Sequence, residues 1–211
     1  LHKIDEKTNA HLIQYKKCGR YKTLPLQSVF TIAKQSIEFI LDFGKPIIDS
    51  YVKLVAASIQ HKCTAYTLGQ TNLGLYLDEK LQELNVTTFT CDLPESTALS
   101  KRDYFHRFRN SPGLYELIRI LFGSIQIIVG VLSARRNGEL FDLLIGSCVD
   151  SGGRHLIFEN RKSGFNNYRS VERRPIAKIC IHGIELLEYL NSELKKLNFL
   201  DPSNRLFAYP S

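Results

Sequence analysis

One stretch limits what this chain can fold into. Leu114, Leu117, Ile118, Leu121, Phe122, Ile125, Ile128 and Val129 recur at three- and four-residue intervals and so fall on one face of a helix. An apolar stripe of that length has to be covered by other elements, which predicts a buried helix at the centre of a core. Arg119 and Gln126 interrupt it, and no apolar run reaches the roughly 18 uncharged residues of a membrane span, so no membrane partner is expected. Ser111-Pro112 supplies the start signal, an N-cap residue followed by a proline in the first turn.

The remaining elements arrange themselves around that helix. Val29, Ile32, Ala33, Ile37, Ile40 and Leu41 have helical spacing, Gly44-Lys45-Pro46 punctuates, and Ile47, Ile48, Tyr51, Val52, Leu54, Val55 and Ile59 resume it. The spacing predicts an antiparallel helix pair. A third helix is expected over residues 73–84, with residues 85–90, rich in Thr and Val, extended. Residues 178–197 carry Ile184, Leu187, Leu190 and Leu194, another amphipathic helix, ended by Asp201-Pro202. Leu206-Phe207 reads as the start of one more buried element.

Between the central helix and this last one the period changes from helical to alternating. Residues 144–149, Leu156-Ile157-Phe158 and residues 168–175 have strand character and are separated by Ser151-Gly152-Gly153 and by residues 163–167. The expected fold is therefore mainly α with a small antiparallel three-stranded sheet at about residues 144–176, an α+β class.

Charge narrows the partner. The chain carries 28 Lys and Arg against 21 Asp and Glu, a net charge of +7. From Arg154 to Lys178 there are seven basic residues and two acids, so most of the excess sits on and around the hairpin. Lys3, Lys7, Lys16, Lys17, Arg20 and Lys22 also make residues 1–25 a basic arm, either solvated or tracking a polyanion. Residues 100–110 interleave Lys101, Arg102, Arg107 and Arg109 with Tyr104, Phe105 and Phe108. This composition favours a polyanionic partner. No Gly-rich phosphate loop, no G-x-S-x-G and no metal-ligand spacing among Asp92, Glu95 or the histidines is present, so neither a cofactor nor a metal is expected. Five scattered cysteines, none in a C-x-x-C pair, point to a reducing, cytoplasmic setting.

The chemistry-bearing turn follows the central helix. In Ser133-Ala134-Arg135-Arg136-Asn137-Gly138-Glu139-Leu140 the spacing starts a new helix at Arg136, and a guanidinium fixed at a helix start is suited to an anion.

The order of these parts resembles the catalytic domain of the tyrosine recombinases, the phage integrase family. That family has a buried helix, a turn of the form Thr-Gly-hydrophobic-Arg-x-x-Glu-Leu, then a three-stranded sheet with a Lys-Thr-Gly-like hairpin and a strand ending in Pro-hydrophobic. The matching residues here are Ser133 to Leu140, then Lys162-Ser163-Gly164, then Arg173-Arg174-Pro175-Ile176. Leu206-Phe207 resembles the short segment before the family's second catalytic cluster. The resemblance covers about residues 111–207. It implies that Arg136 is the first catalytic arginine, Lys162 the hairpin lysine acting as general acid, and Glu139 the supporting glutamate. Arg135, Arg161, Arg169, Arg173 and Arg174 would then contact DNA.

The chain departs from the pattern in several places. Ser133 and Ala134 replace Thr and Gly, and Arg135 stands where an apolar residue is expected, which keeps open whether Arg135 or Arg136 is the catalytic arginine. After Lys162 the tyrosines are Tyr168, Tyr189 and Tyr209, none in a matching context, and no His-x-x-Arg follows Leu206. The resemblance thus implies the front part of a site-specific recombinase: a basic arm over residues 1–25, and an incomplete catalytic domain over residues 26–211. In such an enzyme a tyrosine attacks a DNA phosphodiester to give a phosphotyrosyl intermediate. This stretch would bind duplex DNA, self-associate on it in the cytoplasm or nucleoid, and not turn over alone. A noncatalytic DNA-binding protein on the same scaffold and an unrelated basic RNA-binding module are the competing expectations.

Overall fold

A computed structural model describes residues 25–91, 101–160, 169–199 and 204–210, the side chains of Lys101, Arg102 and Tyr104 excepted. The basic arm up to residue 24, Arg161, Lys162 with Ser163-Gly164, and Tyr168 lie outside the described residues. The architecture is mainly helical with a small antiparallel sheet.

The expected helix pair at the N-terminal end is instead one continuous helix, α1, Leu26–Gln60, with Pro46 inside it. A proline in a helix interior has no N–H for the carbonyl four residues back. Here that carbonyl belongs to Asp42, which is exposed and has the Lys80 Nζ 3.5 Å away. Lys45 and Asp49 form an i,i+4 ion pair at 2.8 Å across the proline, and the Tyr189 hydroxyl donates to Asp49 at 3.1 Å. Gly44 is also a packing residue and not a break, because a Cβ there would lie 2.8 Å from Leu186 Cδ1. Tertiary contacts therefore carry the helix through two residues that read as punctuation.

The region after α1 is more divided than its pattern suggests. A helix with no counterpart in the expectation, α2, Ala65–Thr71, comes first, and in place of one helix over residues 73–84 there are a single 3₁₀ turn, Leu73–Leu75, and α3, Glu79–Glu83. Thr64 and Asp78 cap the two helices by accepting from the Thr67 and Lys80 amides. The basic, aromatic stretch forms α4, Lys101–Asn110.

The central helix stands where the apolar stripe places it, as α5, Leu114–Ser133. Its start differs from the expectation. Ser111 does not cap it: the Ser111 hydroxyl donates to the Asn85 carbonyl at 2.8 Å, and Gly113 is the N-cap residue. The first-turn amides of Leu114 and Tyr115 are taken by the Thr88 and Phe89 carbonyls, so residues 85–90 close a helix end and form no strand. The buried Glu116 carboxylate completes the join, accepting from the Thr90 hydroxyl and the Cys91 amide.

α5 packs against both α1 and the last helix, α7, Lys178–Lys196, which also packs on α1. Leu114, Ile118, Leu121, Ile125 and Ile128 are fully buried in this three-helix core. Each such side chain stabilises by roughly 1.5–3 kcal/mol. Gly183 of α7 lies so close to Ile125 that a Cβ would be 3.0 Å from it. Among the described residues α5 is the one helix with the length and apolar composition to cross a membrane, and most of it is packed inside the fold.

The sheet is a hairpin of β1, His155–Asn160, and β2, Ser170–Pro175, paired antiparallel from His155 opposite Pro175 to Asn160 opposite Ser170. Residues 144–149, expected as a first strand, contribute a single isolated bridge to the hairpin, between Val149 and Leu156, and a second bridge elsewhere. The reason is local: Gly146 has φ +73°, the Cys148 amide turns back to the Leu144 carbonyl, and Leu144 itself bridges to Arg205. Leu206 and Phe207 are buried as expected, held by the Leu206 amide on the Leu143 carbonyl at 2.8 Å.

Candidate functional site

The site is built where α5 ends. Ala134 adopts a left-handed conformation, φ +52° and ψ +44°, and its amide and that of Arg135 both reach the Gly130 carbonyl. This reverses the chain and delivers two consecutive arginines to the start of α6, Asn137–Phe141. Arg136 is the N-cap residue, with extended φ and ψ. Arginine has no acceptor with which to cap a helix. The cap is one-sided: Glu139 reaches back, and its Oε2 accepts the Arg136 amide at 3.2 Å. Gln126 of α5 donates to the Asn137 side-chain oxygen at 2.7 Å and fixes the turn to the central helix. A helix of five residues contributes little macrodipole, so any attraction for an anion here rests on guanidinium charge.

Glu139 organises both arginines. Its carboxylate is 3% exposed, with Arg136 Nη1 3.5 Å from Oε1 and Arg135 Nη1 3.7 Å from Oε2. The arginines differ sharply in setting. The Arg135 side chain is 11% exposed, its Nε donates to the Ser133 carbonyl at 3.0 Å, and its guanidinium lies 4.3 Å from the centre of the Phe158 ring on β1. The Arg136 side chain is 56% exposed. One guanidinium is thus locked into the fold while its neighbour faces outward.

The hairpin arginines do not form one set. Arg174 is cross-strand from the buried Leu156, and its Nη2 lies 3.7 Å from Glu172. Arg173 is opposite Ile157, so strand alternation places it on the other face, where it is exposed. Arg169 has two carboxylates around Nη1, Asp142 at 3.1 Å and Glu159 at 3.6 Å. It ties the hairpin to the C-terminal end of α6. Arg161 and Lys162 are outside the described residues, so Lys162 cannot be placed against Arg136.

No protein-family model, curated protein or solved structure matches this chain.

Burial pushes the Cys148 thiol up to about 12 and the Cys180 thiol up to about 11, which leaves both protonated and unreactive near neutral pH. The Tyr189 hydroxyl is engaged by Asp49, and the Tyr209 ring packs against Phe122, centroids 4.9 Å apart and tilted by 38°. Among the described residues no three His, Cys, Asp or Glu side chains gather as a metal site. Two features escaped the sequence reading. The Phe158 ring under Arg135 could have been suspected from an aromatic on a strand next to an arginine-rich turn. The Asp142 and Glu159 partners of Arg169 depend on a tertiary fold that no spacing encodes.

Proposed function

We propose that this chain binds the phosphate backbone of duplex DNA and is the front part of a site-specific recombinase or integrase, with Arg136 facing the scissile phosphate. The observation that carries the reading is the Arg136-x-x-Glu139 turn. It follows a buried helix, has its glutamate buried behind the arginine, and leads into an antiparallel hairpin that ends in Arg173-Arg174-Pro175. Ala134 adds support: it occupies a left-handed position, the conformation glycine favours, at the place where the family's motif has glycine. The bridge from Val149 to Leu156 is compatible with a third strand that is shorter than the family's.

In this reading Arg136 stabilises charge on a nonbridging phosphate oxygen, an effect often worth about 3 to 4 kcal/mol per preorganised donor. Lys162, at the hairpin tip in the resemblance, protonates the departing 5′ oxygen as general acid. Arg173, exposed, and Arg161 extend the phosphate contacts. Arg135, Arg169 and Arg174 are already engaged with protein groups and contribute less. The nucleophilic tyrosine is not among these residues, so the chain by itself binds without cleaving.

The test is fluorescence anisotropy with a duplex of about 30 base pairs across a salt series. Affinity should fall steeply as salt rises, the logarithmic slope counting the phosphates neutralised at about 0.9 each. Affinity that barely changes with salt, or a covalent product on nicked DNA, would overturn the reading of a phosphate-binding, noncleaving piece.

A further inference from the structure

Two adjacent arginines share one buried carboxylate, and the sharing is unequal. Arg135 is held from three sides: the Ser133 carbonyl on Nε, the Phe158 ring at 4.3 Å from its guanidinium, and Glu139 beyond Nη1. Among the described residues the Arg136 side chain has only the Glu139 carboxylate, at 3.5 Å, and it is 56% exposed. A carboxylate buried as Glu139 is, with one backbone amide on it, favours a compensating cation. Without Arg135 on the Oε2 side at 3.7 Å, Arg136, whose Nη1 already lies 3.5 Å from Oε1, would be drawn further onto the same group.

We propose that Arg135 is a positioning residue: by neutralising Glu139 from within the fold, it keeps the Arg136 guanidinium outward and available to an external phosphate. The consequence for phosphate rests on the DNA reading above; the hold of Arg135 on Arg136 does not. The arrangement also separates two roles that sequence alone leaves interchangeable. Arg135 sits at the place of an apolar residue in the family pattern and behaves like one in part, with its guanidinium 4.3 Å from the Phe158 ring centre, while its charge is spent internally. Because Phe158 belongs to β1, the same side chain sets the hairpin against the turn.

The experiment uses the chain labelled with ¹⁵N-arginine and follows Nε–H exchange at both positions. In the unaltered chain the Arg135 Nε–H should exchange slowly, because it is bonded to Ser133, and that of Arg136 quickly. In Arg135→Leu the Arg136 Nε–H should become protected as its guanidinium closes on Glu139, and Arg135→Lys, which keeps a cation beside Glu139, should restore fast exchange. Should Arg135→Leu fail to fold, Arg135→Gln runs the same comparison. Unchanged fast exchange at Arg136 in a folded neutral variant overturns the proposal.

DNA binding supplies the second readout. Arg136→Ala should lower the salt slope by about 0.9 in the unaltered chain, and by about half that or less in the neutral Arg135 background. Equal losses in both backgrounds overturn the proposal. So does a neutral Arg135 variant that itself lowers the slope by about 0.9 with Arg136 exchange unchanged, since Arg135 would then be a phosphate contact. If the unaltered chain does not bind duplex DNA at all, the DNA reading fails, and the exchange experiment still decides whether Arg135 positions Arg136.

Discussion

Ala134 shows how much a single dihedral angle can hold. Its left-handed φ of +52° lets α5 end at Ser133 and aims the next two residues at Glu139. For a residue with a Cβ that conformation costs roughly 1–2 kcal/mol, while glycine in an unfolded chain loses about 0.5–1 kcal/mol more entropy than alanine on folding. Ala134→Gly should therefore stabilise by about 0.5–1 kcal/mol, read as a higher urea midpoint at unchanged slope. A lower midpoint would mean that the alanine methyl makes a contact worth more than the strain. At this scale the sequence was informative about identity and poor about environment. Arg136 stands at the start of its helix, where the Arg-x-x-Glu spacing puts it. That the preceding arginine is buried on Phe158 depends on a strand 20 residues downstream, which local spacing cannot express.

Among the elements, α1 is where local rules and packing part company. Gly44 and Pro46 both read as breakers, yet both lie inside one helix, and they should respond oppositely to the same replacement. Pro46→Ala restores an amide for the Asp42 carbonyl and should stabilise, by up to about 3 kcal/mol. Gly44→Ala gains about 1 kcal/mol of helix propensity but drives a methyl to 2.8 Å from Leu186, and overpacking of that kind costs roughly 1–3 kcal/mol. It should be neutral to destabilising by about 2 kcal/mol, and chemical denaturation of the two variants side by side tests the contrast.

The turn leading into β1 has its own sensitivity. Asp150 accepts from the amides of His155 and Arg154 and pairs with the His155 ring, and these bonds, the His155 amide foremost, hold its carboxyl down at about 2. A carboxyl depressed from 3.8 contributes stability that is whole above about pH 4 and is lost as pH falls through about 2. The His155 and Arg154 amide resonances should accordingly titrate with a midpoint near pH 2, and Asp150→Asn should abolish that transition. A midpoint near pH 4 would show that the turn does not grip its carboxylate. The hairpin was legible because its period of two is bounded by glycines; the helices of residues 65–83 were not, because each is too short to display a period.

Over the whole molecule, the surplus of positive charge was visible in composition, but its division was not. Folding distributes the basic residues of the hairpin between two faces and engages Arg169 and Arg174 with acids from α6, β1 and β2, so the charge available to a polyanion is less than the sequence count. The core was legible in the same coarse way. The stripe of α5 identifies its centre, while its two main partners, α1 and α7, come from opposite ends of the chain.

The segment carrying Leu206 and Phe207 has a consequence in time. It docks beside Leu143 and Ile145, about 60 residues earlier, through the Leu206 amide and through the Ile145 amide on the Asn204 carbonyl at 3.0 Å. Closing a loop of that length is costly before its contacts reward it, so this contact should form after the rate-limiting step of folding. Leu206→Ala, which empties a fully buried position, should cost about 2–5 kcal/mol and express nearly all of it as faster unfolding, with the refolding rate little changed in a chevron plot. A slowed refolding limb would place the contact in the nucleus instead. During synthesis the loop after α6 leaves the ribosome long before its partner does. For that interval, several seconds at ordinary elongation rates of about 5–20 residues per second, the arginine-bearing turn exists without the segment that closes over the loop behind it.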